Sequence, residues 1–168
     1  MWIAISGSWR IINEEVKRDV EVAVRKVIKN GDGLVTGGAL GVDFIATQMM
    51  LKEGDITKLK IFLPIKLDKF CQHFRNRAKE GVITEAQAEM LIKQLLVVKK
   101  LNPKAINDDT PYEQANEESY YARNYSIISS CDELYAFQVN KSKGVQDAID
   151  KARKLDKKVI HKKYAISE

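Results

Sequence analysis

Short apolar runs alternate along the chain with stretches in which apolar residues recur every three or four positions. Trp2 to Ser6 has the character of a buried strand. Between Asn13 and Lys29, Val16, Val20, Ala23, Val24, Val27 and Ile28 fall on one helical face, with Asn13 as N-cap, Glu14 and Glu15 in the first turn, and the NGDG of 30–33 as the stop. Gly33 to Thr36 reads as a second strand, and Val42, Ile45, Ala46, Met49 and Met50 mark a second amphipathic helix. Lys60 to Leu63 is a third strand, ended by Pro64. This alternation predicts parallel strands joined by crossover helices.

Residues 65–116 break the rhythm. Helical periodicity covers Asp68 to Glu80 and resumes after Thr84, where Thr84 and Gln87 form a capping box ahead of Ala88, Leu91, Ile92, Leu95 and Leu96. The loop NPKAINDDTPYEQANEE follows. One apolar helix face is too little for an independent core, so the block reads as a helical insertion with a mobile connector, suited to act as a lid. The apolar face from Leu91 to Val98 suits packing against the chain's own domain or contact with a second copy, a homo-oligomer. Then come a helix from Glu117 to Ser130 with Tyr121, Tyr125 and Ile128 as its stripe, a strand at Glu133 to Val139, and a helix carrying Val145, Ala148, Ile149 and Ala152. KKVIHKKY is the final strand. The expectation is one α/β domain over 1–168: an open parallel sheet of about five strands with flanking helices and the insertion.

Composition agrees with this picture. With 168 residues, 45% of them hydrophobic and 30% charged, the chain can bury roughly 70% of its unfolded surface without disulfide or metal. No apolar run nears the ~18 residues of a membrane helix, and the first apolar stretch lacks a basic leader, so no signal peptide and a cytoplasmic location are expected. Cys71 and Cys131 are far apart, and Cys71 with His73 on one helical turn supply too few ligands for a metal site. Neither a metal nor a cofactor is expected. The net charge of +5 is concentrated between Lys151 and Lys163, which hold seven Lys or Arg against one Asp. That segment is either a solvated helix end and edge strand or a nucleic-acid footprint.

In an open parallel sheet the turns leaving the C-terminal strand ends line one edge. Three such turns are rich in ligand groups: Gly7, Ser8, Trp9 and Arg10; the TGGALGVD stretch with Gly37, Gly38, Gly41 and Asp43; and NKSKG with Ser142, Lys143 and Gly144. The glycines permit close backbone approach where a helix starts, a setting that favours an anion. Asp43 suits either a helix cap or a ribose hydroxyl, and Trp9 either shields the sheet edge or stacks on a base.

GSWR, VTGGALGVD, ARNYSIISSCDELYAF and KSKGVQDAIDKA, in this order, resemble the SLOG superfamily of Rossmann-like proteins. That superfamily includes DNA-processing protein A, the Lonely Guy phosphoribohydrolases and small bacterial or phage domains of the YspA and YpsA type. The resemblance implies a nucleotide or nucleotide-derived ligand. Ser8 and Arg10 would meet its phosphate or sugar, Gly37, Gly38 and Gly41 would cradle it, Arg123 and Asn124 would reach in, and Ser142 to Gly144 would close the site.

One departure bears on chemistry. Lonely Guy enzymes carry a catalytic glutamate in a PGGxGTxxE loop, and the related-looking nucleoside deoxyribosyltransferases need one near the same place, where this chain has Ala148. Asp147, Asp150 and Glu113 are the substitutes to test, because N-glycosidic cleavage needs a carboxylate within reach of the anomeric carbon. Three readings follow. The first is a sensor or sequestering module for a nucleotide or ADP-ribose-like ligand, the second a nucleoside-monophosphate N-glycosidase or related transferase, and the third a single-stranded DNA-binding protein.

Overall fold

The computed structural model describes residues 1–168. Six strands, β1 (Trp2–Gly7), β2 (Gly33–Thr36), β3 (Leu59–Phe62), β4 (Ile106–Asn107), β5 (Glu133–Val139) and β6 (Lys158–Tyr164), form one sheet in the order β4-β3-β2-β1-β5-β6. Every pairing is parallel. The helices are α1 (Glu14–Lys29), α2 (Val42–Glu53), α3 (Leu67–Lys79), α4 (Glu85–Leu101), α5 (Glu117–Ser129) and α6 (Lys143–Lys154). This is a Rossmann-like architecture.

Strand pleating sends alternate residues to opposite faces. Ile5, Leu34, Ile61 and Phe137 join a core with α1, α2, α3 and α4, while Ala4, Val35, Leu134 and Ala136 join a second core with α5 and α6. Local signals start the helices. The Asn13 side chain accepts the Val16 N–H at 3.0 Å, and Thr84 and Gln87 close the reciprocal capping box on α4.

The sheet has six strands where about five were expected. The additional one, β4, pairs Ile106 with Ile61 and Asn107 with Phe62 inside a stretch that reads as loop. Two residues between Pro103 and Asp108 carry no period, so only pairing with β3 defines the strand. The segment after it is anchored as well: Asp108 accepts the Leu67 N–H at 2.9 Å.

Two apolar stripes also differ from expectation. On α4, Leu91, Ile92, Leu95 and Val98 face inward, whereas Leu96 is exposed along with Met90, Val97 and Leu101. On α5, Tyr125 is exposed and the inward face carries Ser119, Asn124, Ile127 and Ile128, because part of it borders a cavity. No helix is long and apolar enough to cross a membrane.

Phe70 and Phe74 of α3 and Leu91 and Leu95 of α4 lie in the same core as β1, β2 and β3. Phe70→Ala is therefore expected to cost the whole domain about 3–5 kcal/mol. Denaturant unfolding followed by far-ultraviolet circular dichroism and by tryptophan fluorescence should give one coincident, shifted transition; two separate transitions would mean that 65–116 melts on its own.

Candidate ligand-binding site

Strand order reverses at β1, which has β2 on one side and β5 on the other, and in such sheets the crevice beyond the C-terminal strand ends receives ligands. A cavity of about 660 Å³ lies at this edge. The β1–α1 loop lends it Gly7, Trp9 and Arg10, the loop into α2 lends Ala39, the first turn of α2 lends Asp43, α5 lends Arg123 and Asn124, and the start of α6 lends Ser142, Lys143 and Gly144. Residues remote in sequence thus meet at one edge of the sheet.

The loops are tied together beneath the cavity by α5. Arg123 donates from Nη1 to the Gly37 carbonyl and from Nε to Asn124 Oδ1 at 3.3 Å, and its guanidinium lies 5.3 Å from the Tyr120 ring centroid. Asn124 in turn donates to the Gly144 carbonyl at 3.2 Å and to Asp147 at 3.0 Å. Asp43, only 7% exposed, accepts the N–H groups of Gly37 at 3.2 Å and Ala39 at 3.3 Å. Burial pushes the Asp43 carboxyl above its ordinary pKa, opposed by Arg123 and those two N–H groups. Burial likewise draws Arg123 down, opposed by Asp43 and the Tyr120 phenol. Each charge offsets part of the other's desolvation.

This geometry separates the predicted residues by role. Gly37 lies below the cavity wall, where a Cβ would fall 2.5 Å from Arg123 Nη1 and 2.9 Å from Asp43 Oδ2. Gly41 has φ +71°, and its Cβ would fall 2.2 Å from the Ser8 carbonyl, so it lets two loops cross. Gly38 packs over Ile61 and Leu63. Ser8 turns inward, its hydroxyl accepting the Ile11 N–H at 3.2 Å and its carbonyl the Val42 N–H at 3.0 Å. None of Ser8, Gly37, Gly38 and Gly41 lines the cavity. The N–H groups of Gly37 and Ala39, which would have cradled an anion, are taken by Asp43.

The start of α6 is different. Ser142 makes no side-chain cap, the first turn holds no acidic residue, and the N–H groups of Lys143, Gly144 and Val145 have no acceptor in the protein. These residues face the cavity. The turn before them holds Asn140 at φ 50° and Lys141 at φ 57°, a left-handed pair that non-glycine residues adopt at a cost. Asn140 secures it by bonding the Ile166 carbonyl at 2.7 Å and N–H at 2.9 Å.

The three substitute carboxylates lie off the cavity wall. Asp147 is held by Asn124 and Lys151, Asp150 accepts from Gln146 at 2.9 Å, and Glu113 pairs with Lys69. Asp43 and Glu117 are the carboxylates that line it. His73, Phe74 and Arg77 of α3 and Tyr120 of α5 also line it and were not anticipated. The spacing of Tyr120, Arg123, Asn124 and Ile127 marks one helical face and could have disclosed Tyr120; nothing local singles out the α3 residues. No group of three or more His, Cys, Asp or Glu side chains could hold a metal ion.

No protein-family model and no curated protein matches the sequence. Solved structures do resemble the fold. DNA processing protein A from Helicobacter pylori, described for its single-stranded DNA binding mode, superposes with a TM-score of 0.69 at 23% identity over 96% of this chain and 64% of its own. The structural-genomics target TM1055 gives 0.57 at 16% identity over 94% and 71%, and DNA processing protein A from Streptococcus pneumoniae 0.53 at 17% over 94% and 57%. The chain thus spans about 64% of the Helicobacter protein's length. At these identities the likeness defines a shared Rossmann-like fold.

Two glycine substitutions separate scaffold from seat. Gly37→Ala forces Arg123 and Asp43 apart and is expected to cost about 1–3 kcal/mol. Gly144→Ala meets nothing within 4 Å and is expected to be neutral or stabilising by up to about 1 kcal/mol. Chemical denaturation of both variants checks the contrast, and equal costs would contradict it.

Proposed function

We propose that the protein binds a nucleotide or nucleotide-derived, phosphate-bearing ligand, of ADP-ribose-like chemistry, as a cytoplasmic sensor or sequestering module. The observation that carries this reading is the α6 N-terminus, whose three unpaired N–H groups border the cavity. Such a terminus favours anions through both its donors and its dipole. Arg10 and Lys143 are cations of the wall that pair with no carboxylate, whereas Arg77 pairs with Glu80 and Arg123 lies by Asp43. A volume of about 660 Å³ falls within the usual range of small-molecule sites. Turnover by N-glycosidic cleavage gains no support from Asp147, Asp150 or Glu113, each engaged elsewhere.

A second reading, single-stranded DNA binding, is favoured by the Helicobacter neighbour's described binding mode and by the basic α6–β6 surface. Three of its seven cations have a carboxylate partner and a fourth bonds a carbonyl. Lys151 pairs with Asp147, Lys158 with Glu133 at 4.0 Å and Lys162 with Asp19 at 3.6 Å, while Lys157 donates to the Cys131 carbonyl. Arg153, Lys154 and Lys163 are left for phosphates.

Thermal shift and free-base release measured together on AMP, ADP-ribose and cyclic dinucleotides test the reading. Stabilisation without free base is expected, and Arg10→Ala should weaken binding by about 10-fold or more, the loss of a charged hydrogen bond. Base release would favour the enzyme instead. Binding confined to oligodeoxynucleotides and falling steeply with salt would favour the DNA reading.

A further inference from the structure

Among the residues of the cavity wall that lie outside the three loops are His73, Phe74 and Arg77 of α3, and Tyr120 of α5. The Tyr120 hydroxyl and His73 Nε2 are 3.3 Å apart, and the Phe74 ring meets His73 edge-on with centroids 5.3 Å apart. Tyr120 sits one turn before Arg123 and Asn124 on α5, and Asn124 reaches the Gly144 carbonyl. The wall therefore runs in order from the α6 N-terminus through Asn124, Arg123 and Tyr120 to His73. One end offers free N–H groups and Lys143. The other offers apolar ring surface and a hydrogen-bonding pair, which suits a flat heterocycle better than a phosphate.

We propose that this α3 end seats the base of the ligand, with the Tyr120–His73 pair reading the base edge, so that the cavity selects nucleotides over sugar phosphates. The proposal rests on the phosphate seat at α6. Burial and Arg77 hold His73 below the ordinary histidine pKa, opposed by Glu80. If Tyr120 donates to Nε2, its oxygen still accepts from the base; if Nε2–H donates to it, its own proton is free for a base acceptor. Either tautomer leaves the hydroxyl a role toward the ligand. Trp9, 41% exposed with the Arg10 guanidinium 5.5 Å from its ring centroid, then forms the lip of the cavity and not the base platform.

Calorimetric titration with the four ribonucleoside 5′-monophosphates and with ribose 5-phosphate tests this on the parent protein and on Tyr120→Phe, His73→Leu and Trp9→Ala. At least one monophosphate is expected to bind about 5-fold or more tighter than ribose 5-phosphate, the size of a base-stacking contribution. Tyr120→Phe should cut that preference by about 2- to 12-fold while leaving ribose 5-phosphate affinity unchanged. His73→Leu should do the same, and Trp9→Ala should leave the preference intact. Ribose 5-phosphate binding as tightly as every monophosphate, equal losses for both ligand types, or a preference lost only in Trp9→Ala would overturn the base seat and leave the phosphate seat standing. Failure of both ligand types to bind the parent protein would overturn both.

Discussion

The guanidinium of Arg123 is held by the Gly37 carbonyl and stacked near Tyr120, and the arrangement of the ligand edge depends on it. Removing a guanidinium from water is costly, and here the cost is offset by a buried carboxylate, a carbonyl and an aromatic face. The carboxylate, Asp43, is fixed by two N–H groups of the same glycine loop. One side chain from α5 thereby locks the β2–α2 loop, and its neighbour Asn124 locks the start of α6. A side chain at Gly37 would have no room, which accounts for the glycine more directly than contact with a ligand does.

This division of labour alters how the glycine-rich loop is understood. Glycines after a strand suggest an anion cradle, yet here the Gly37 and Ala39 N–H groups bond Asp43, and the free donors at the cavity lie at the start of α6, two strands across the sheet. The helix at which the proposed anion would sit, α6, is the one without an acidic residue in its first turn. Where α1, α2 and α5 carry Asp or Glu at that position, the chain has supplied its own anion.

Much of this was legible in the sequence because it rests on local signals. Asn13 and the Thr84–Gln87 box start their helices, and the alternation of strands and helices fixes a parallel sheet whose loops converge at one edge. What was not legible depends on partners distant in the chain. β4 exists through its pairing with β3. Ser8 looks like a ligand group until the Ile11 N–H is found to occupy it. Asp147 looks available until Asn124 and Lys151 engage it. His73 and Arg77 reach the cavity only because α3 packs against the main core, which no periodicity within α3 reveals.

The proposed function requires that the α6 N-terminus receive an anion. Backbone amide chemical-shift mapping of the isotopically labelled protein, titrated with AMP, tests it most directly. Lys143, Gly144 and Val145 are expected to shift most, with Gly37 and Ala39 little moved. Perturbations confined to Arg153, Lys154 and Lys163, or to Gly37 and Ala39 with α6 silent, would contradict it.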